Sequence, residues 1–241
     1  MSHFSYATEV ASSTTRTEEV YDFLRSELLN GDLCPGQKLP MIELAQRFAV
    51  SQSVVREALT RLTEQHLVVA IPQRGFRVRE LSIQDVTDLT EARVQVESVA
   101  LRLAIERGDV HWETDVLTAH HILERTSVTT NRGTVDEEWS LRHRDFHRSL
   151  ISGCNNVRLE VVANSLRDSA ELYRRWTSVL TRDHYRHIAS DHKKLKDLTL
   201  ARDGDAAAAL LIKHIERAPS QLVAYARKHG EHQLQARSAD G

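Results

Sequence analysis

The chain has 241 residues, a formal net charge of −2, 27% charged and 41% hydrophobic residues, which excludes global disorder and suits one large domain or two small ones. Its two cysteines, Cys34 and Cys154, exclude a disulfide framework and fit a reducing, cytoplasmic setting. No apolar run approaches the roughly 20 residues that cross a bilayer, so no membrane partner is expected.

Residues 1–16 are Ser/Thr-rich without an apolar stretch and read as a flexible tail, not a secretory signal. The spacing of Val20, Phe23, Leu24, Leu28 and Leu29 predicts a helix from about Thr17, stopped at Gly31. Residues 33–40, with Pro35, Gly36 and Pro40, read as a turn-rich connector. A short helix follows over 42–48, with Leu44, Ala45 and Phe48 on one face. Ser51 is an N-cap for a third helix over about 52–65, whose apolar face is Val55, Leu59 and Leu62. Residues 67–71 and 76–78 read as strands around a turn at Pro72-Gln73-Arg74-Gly75. Helix, short helix, helix and hairpin is the order of a winged helix-turn-helix, assigned to 17–80. Residues 1–80 hold nine basic against ten acidic side chains, yet 47–79 hold six arginines against Glu57 and Glu64, a local balance of +4. Such a basic stripe suits contacts to phosphate.

Ser82-Ile83-Gln84-Asp85 is a capping box that opens the second region, 81–230. Six helices are expected there, at about 83–107, 111–128, 135–152, 156–180, 184–203 and 205–229. The breaks fall at Gly108-Asp109, Asn131-Arg132-Gly133, Gly153-Cys154-Asn155, Thr181-Arg182-Asp183 and Gly204. Thr134-Val135-Asp136-Glu137 reads as a second capping box. Short connections between long helices predict an antiparallel bundle, and the proline gap between Pro72 and Pro219 fits it. The fold class is therefore mainly α, a winged helix-turn-helix followed by a helical bundle, with 231–241 as a second flexible tail.

Histidine is abundant, at 13 residues. His143 and His147 are four apart and project from one helix face. His192 and His214 lie on two later helices, and a bundle can gather all four into a site for Zn²⁺ or a similar metal such as Ni²⁺. The i,i+4 spacing alone carries little, because roughly 0.7 such pairs arise by chance at this composition. His120, His121, His184 and His187 have no such argument and read as surface residues. His143 to His147 has the outer spacing of the zinc-protease motif, but Arg144 stands where that chemistry needs a glutamate base. No nucleophile elbow, P-loop or dinucleotide fingerprint appears, so an enzyme is not expected. A metal-dependent enzyme stays as one alternative, and a DNA-binding protein with a purely structural histidine site as another.

The segments Gly31-Asp32-Leu33-Cys34-Pro35-Gly36-Gln37-Lys38-Leu39, Glu43-Leu44-Ala45, 50–62 and Arg74-Gly75-Phe76-Arg77-Val78 resemble the GntR family of bacterial transcription regulators. The helical remainder, through Phe146-His147, Asn156, His192 and His214, resembles the FadR-type effector domain called FCD. The resemblance implies a homodimer on a palindromic double-stranded operator, with a small organic acid as effector beside a divalent metal, and repression relieved by that acid. It assigns base or phosphate contacts to Ser51, Gln52, Ser53 and Arg56 at the start of the reading helix, and to Arg74 and Gly75 at the wing tip. Gln52 stands where the family usually has arginine, so a shifted base preference is expected, since Arg pairs with guanine and Gln with adenine. The family's metal ligands map onto His147, His192 and His214, and His143 stands where an Asp is usual. Arg93 matches an arginine that pairs with the effector carboxylate, with an i,i+4 salt bridge to Glu97 as the competing reading. Asn164 and Arg174 are further effector contacts expected on a pocket-lining helix.

Overall fold

The computed structural model describes residues 15–30, 32–33, 35–80, 82–130, 135–181 and 187–229. Residues 1–14 of the expected N-terminal tail, the whole C-terminal tail, Gly31, Cys34, the break at 131–133, Thr134, Arg182-Asp183 and His184 lie outside the described residues, while Arg16, expected in the tail, opens the first helix.

The first unit begins with α1 (Arg16–Asn30), then β1 (Lys38–Leu39), α2 (Met41–Arg47), α3 (Gln52–Glu64), β2 (Val68–Ile71) and β3 (Gly75–Val78). Pro40 takes the N-cap position of α2 and Ser51 caps α3, its Oγ accepting from the Val54 amide at 3.5 Å. β1 is a strand that the sequence reads as connector. Its two residues pair antiparallel with Arg77 and Phe76, so the sheet order is β1-β3-β2. Propensity gives no signal for so short an element, which forms because β3 offers a free edge. Gln73 and Gly75 carry the wing turn at φ +60 and +83, and open space surrounds the Gly75 Cα.

The second unit holds α4 (Ile83–Arg107), α5 (Val110–Arg125), α6 (Glu137–Ser152), α7 (Val157–Thr181), α8 (Ile188–Leu200) and α9 (Gly204–His229). Ser82 and Asp109 cap α4 and α5 through their side chains. The cap of α6 is Asp136, whose carboxylate accepts from the Glu138 and Trp139 amides, two residues later than the expected capping box begins. The carboxylate satisfies two of the helix's orphan amides and complements its positive end. Pro219 sits inside α9, where it removes one backbone donor.

Two apolar cores result. One fills the bundle around Leu101, Phe146, Leu195 and Leu211. The other belongs to the small unit, around Leu24, Val55, Leu59 and Phe76, but it also takes in Leu172, Tyr173 and Trp176 of α7 and Leu222 and Ala226 of α9. The winged helix-turn-helix unit is thus fused to the bundle through shared core. At this seam Arg79 Nη2 donates to Asp85 Oδ1 at 2.9 Å and the Tyr173 hydroxyl donates to Asp85 Oδ2, tying the end of β3 to the first turn of α4 and to α7.

Candidate functional site

In α3 the buried face is Val55, Ala58, Leu59 and Leu62. That phase turns Gln52, Ser53, Arg56 and Thr60 outward, and all four are exposed. Ser51 and Ser53 share a hydroxyl hydrogen bond at 2.7 Å. Arg74 stands exposed at the wing tip beside Gly75. The +4 stripe is less available than its charge implies. Arg47 is bound to Glu27 and packs on Phe23 and Phe48. Arg61 lies 4.3 Å over the Tyr21 ring, Arg77 donates to the Gly36 carbonyl, and Arg79 to Asp85. Arg56 and Arg74 are the two members that point to solvent without such a partner among the described residues.

In the bundle, α6 contributes His143 and His147, α8 contributes His192 and α9 contributes His214. One ring nitrogen from each lies within 4.8 Å of the others. His143, His147 and His192 are buried, and His214 nearly so. The Nε2 atoms of His147 and His192 are 3.3 Å apart. Two nitrogens each about 2.0–2.1 Å from a tetrahedral ion would stand about 3.3 Å from each other. Burial pushes the pKa of all three α6 and α8 imidazoles well below the usual histidine value, with further depression from neighbouring imidazoles and arginines. The rings are therefore neutral with lone pairs to offer. His143 Nε2 and His147 Nδ1 are buried without a hydrogen-bond partner among the described residues, a costly state that an ion or bound ligand relieves. The donor set fits a borderline transition metal.

Burial lowers His214 as well, but the carboxylate of Asp191 opposes that shift. Asp191 Oδ2 stands 3.4 Å from His214 Nδ1 and accepts from Arg217. Burial works against the Asp191 carboxylate, yet its hydrogen bonds to His214 and Arg217 hold its pKa below the ordinary value. A carboxylate on the far nitrogen of a ligating imidazole fixes its tautomer and orientation. The sequence reading missed Asp191. Its neighbour His192 turns to a different face of α8, and the packing of α8 on α9, not any local spacing, brings Asp191 to His214. Asp145, nearer in sequence to the α6 histidines, pairs instead with Arg142. His120 is buried, contrary to its surface reading, with its ring edge-to-face on Phe146 at 5.4 Å. His121 and His187 are exposed.

A cavity of about 120 Å³ adjoins the histidines, touching His143, His147 and His214. Six arginines and three carboxylates line it. Arg93 reaches it, and its Nε donates to Glu97 Oε1 at 2.7 Å, so the i,i+4 pair and the cavity position coexist. Glu97 is fully buried and also accepts from Arg167 Nη2 at 2.6 Å. Arg174 lines the cavity, donates to Glu171 and to Ser140 Oγ, and covers the Trp139 ring, which stacks on His143 at 4.8 Å. Asn164 does not line it. Its Oδ1 accepts from Arg167, which does.

The comparisons with known proteins agree with this architecture. Residues 16–78 match the family described as bacterial regulatory proteins, gntR family, and residues 88–217 match the FCD domain. The chain is 35% identical to the HTH-type transcriptional regulator BphR of Paraburkholderia xenovorans, over 86% of this chain and 85% of that one. It is 33% identical to the HTH-type transcriptional repressor GlaR of Escherichia coli, over 81% and 90%. The crystal structure of a GntR regulator from Rhodococcus superposes with a TM-score of 0.65 at 27% identity, covering 87% of this chain and 98% of that one. No described helix is long and apolar enough to cross a membrane. With a winged reading head in front and an FCD domain behind, this chain belongs to the GntR family of bacterial regulatory proteins.

Proposed function

We propose that the chain is a cytoplasmic, DNA-binding transcription repressor that a small organic acid releases from its operator. The observation that carries this reading is the joining, in one chain, of an outward-facing reading helix to an arginine-rich cavity that touches three imidazoles of a four-histidine cluster. Ser51, Gln52, Ser53 and Arg56 present to the major groove, and Arg74 with Gly75 to the minor groove. His143, His147, His192 and His214 hold a divalent metal, zinc or nickel, whose positive charge helps fix a carboxylate. Arg93 and Arg174 hold the acid, and Asn164 acts through Arg167. The cavity of about 120 Å³ is lined by six arginines, which favours a short, highly charged acid over a long acyl chain.

The working unit is a homodimer on a palindromic operator, because two heads read two half-sites. Exposed Val157 and Val161, one turn apart on α7, and Val99 on α4 supply apolar surface for pairing. The name of the repressor GlaR supports the sign of regulation. The acid must bind the DNA-incompetent state better than the competent one.

The test combines metal analysis of purified protein with operator selection from random DNA. One metal per chain is expected, lost in His147→Ala and His192→Ala, and a short organic acid should lower operator affinity only in the metal-loaded protein. A metal-free protein, or one whose operator affinity no acid alters, overturns the sensor reading and leaves the DNA-binding one standing.

A further inference from the structure

The cavity beside the histidines is not enclosed by the bundle alone. Arg25 and Leu29 of α1 and Gln65 and Leu67 at the end of the reading helix also line it. Gln65 is the C-cap of α3, its amide donating to Arg61 O at 3.3 Å. The helix that presents Gln52 and Arg56 at its first turn therefore touches the cavity at its last.

A chain of ionic contacts runs along the same wall. Arg174 pairs with Glu171 at 2.5 Å, and Glu171 also takes Arg175 Nε at 2.9 Å. Arg175 reaches Glu137 at 2.9 Å, and Glu137 reaches Arg25 of the head at 3.7 Å. This last link is the longest of the four and bridges the two units. Charge on the wall is unbalanced towards arginine, and the buried Nε atoms of Arg144 and Arg167, both of which line it, lack hydrogen-bond partners among the described residues. An anion entering here competes with Glu171 and Glu137 for their arginines, and the loosest pair exchanges first.

We propose that the effector site is shared between the two units, with Arg25 and Gln65 of the reading head as ligand-contacting residues. A bound carboxylate draws Arg25 from Glu137 and so acts directly on α1 and on the C-terminal end of α3. The inference rests on the reading of this cavity as an organic-acid site and adds the head as one of its walls. The head–acid contact and the acid's effect on operator binding are then one coupling, equal in both directions.

The experiment uses the full-length, zinc-loaded chain and a length series of carboxylate probes, acetate, malonate and succinate, titrated calorimetrically. Arg25→Gln should weaken the best-bound probe at least about tenfold, the loss of one charge-assisted hydrogen bond. Arg25→Lys should recover much of it, and zinc content should not change. Gln65→Ala should weaken it less, and Arg47→Gln, which breaks a head pair away from the cavity, should not. In Arg25→Gln the ratio of operator affinities without and with acid should fall towards one, while the melting temperature confirms a folded chain. Unchanged acid affinity in both head variants, with loss in Arg174→Gln, overturns the shared site but leaves the organic-acid reading intact. No probe binding to the unaltered chain overturns both.

Discussion

Glu97 shows how a single buried charge is kept. It has no exposed surface, yet two guanidiniums, Arg93 at 2.7 Å and Arg167 at 2.6 Å, enclose its two oxygens. Burial opposes ionisation, but the charge and hydrogen bonds of Arg167 and Arg93 outweigh it and hold the pKa below the ordinary glutamate value. A carboxyl with a lower pKa folded than unfolded binds fewer protons when folded. Its stabilisation is fully present above the unfolded pKa of about 4.3 and is lost as pH falls through the folded value. Glu97→Gln should cost about 3–5 kcal/mol at pH 7, because it strands two arginines, and should flatten the acid side of the stability profile. Thermal unfolding between pH 7 and pH 3 checks both, and an acid profile parallel to that of the unaltered chain would refute the assignment. From the sequence, the Arg93–Glu97 spacing was readable as an i,i+4 pair. Arg167 was not, since it stands 70 positions away on α7, and only the packing of α4 on α7 joins them. The same holds for Asp191 and His214. Ligand types were legible in the chain, and the residues that orient them were not.

At the scale of elements, the reading helix is the clearest case of sequence deciding structure. Its cap, its buried stripe and its exposed residues all follow from period and N-cap chemistry. The long helices of the bundle were legible for the same reason, with ends displaced by up to about four residues. The two-residue β1 was illegible, because pairing with β3 and not local preference creates it. Charge along the head misled in a specific way. Three of the six arginines between 47 and 79 fasten the head internally and Arg79 ties it to α4, so fewer remain for phosphate than composition implies. Gln52→Ala should therefore change base preference at one position per half-site, by about 1–3 kcal/mol of discrimination, with little effect on salt dependence. Arg74→Ala should instead reduce the salt slope by about one per head. Binding-site selection and affinity at several salt concentrations separate the two, and a Gln52→Ala chain with unchanged preference would refute the base contact.

For the whole molecule, the decisive region is the seam. Asp85 receives both Arg79 and Tyr173, so one carboxylate holds together the wing, the first turn of α4 and α7. Burial raises the Tyr173 hydroxyl pKa, and the bond to Asp85 raises it further, which keeps the donor protonated. Tyr173→Phe removes that bond without altering the core packing of the ring. It should cost about 1.5–3 kcal/mol, as for hydrogen bonds to charged groups, and lower the melting temperature by roughly 2–4 °C per kcal/mol in a chain of this size. Faster amide exchange should appear at residues 76–86. Unchanged exchange there would show that the shared apolar core alone fixes the head.

That shared core also bears on modularity. α9 carries His214 to the histidine cluster, passes Pro219, and then buries Leu222 and Ala226 among head residues. The covalent boundary near residue 80 is therefore not the structural one. A chimera that grafts a foreign head onto this bundle at that point would leave the last turns of α9, and Leu172 and Trp176 of α7, facing an unmatched surface. Recombination within such a family would succeed where the helix end beyond Pro219 travels with the head it was fitted to. The proline marks a natural place to cut, since the helix already lacks a backbone bond there.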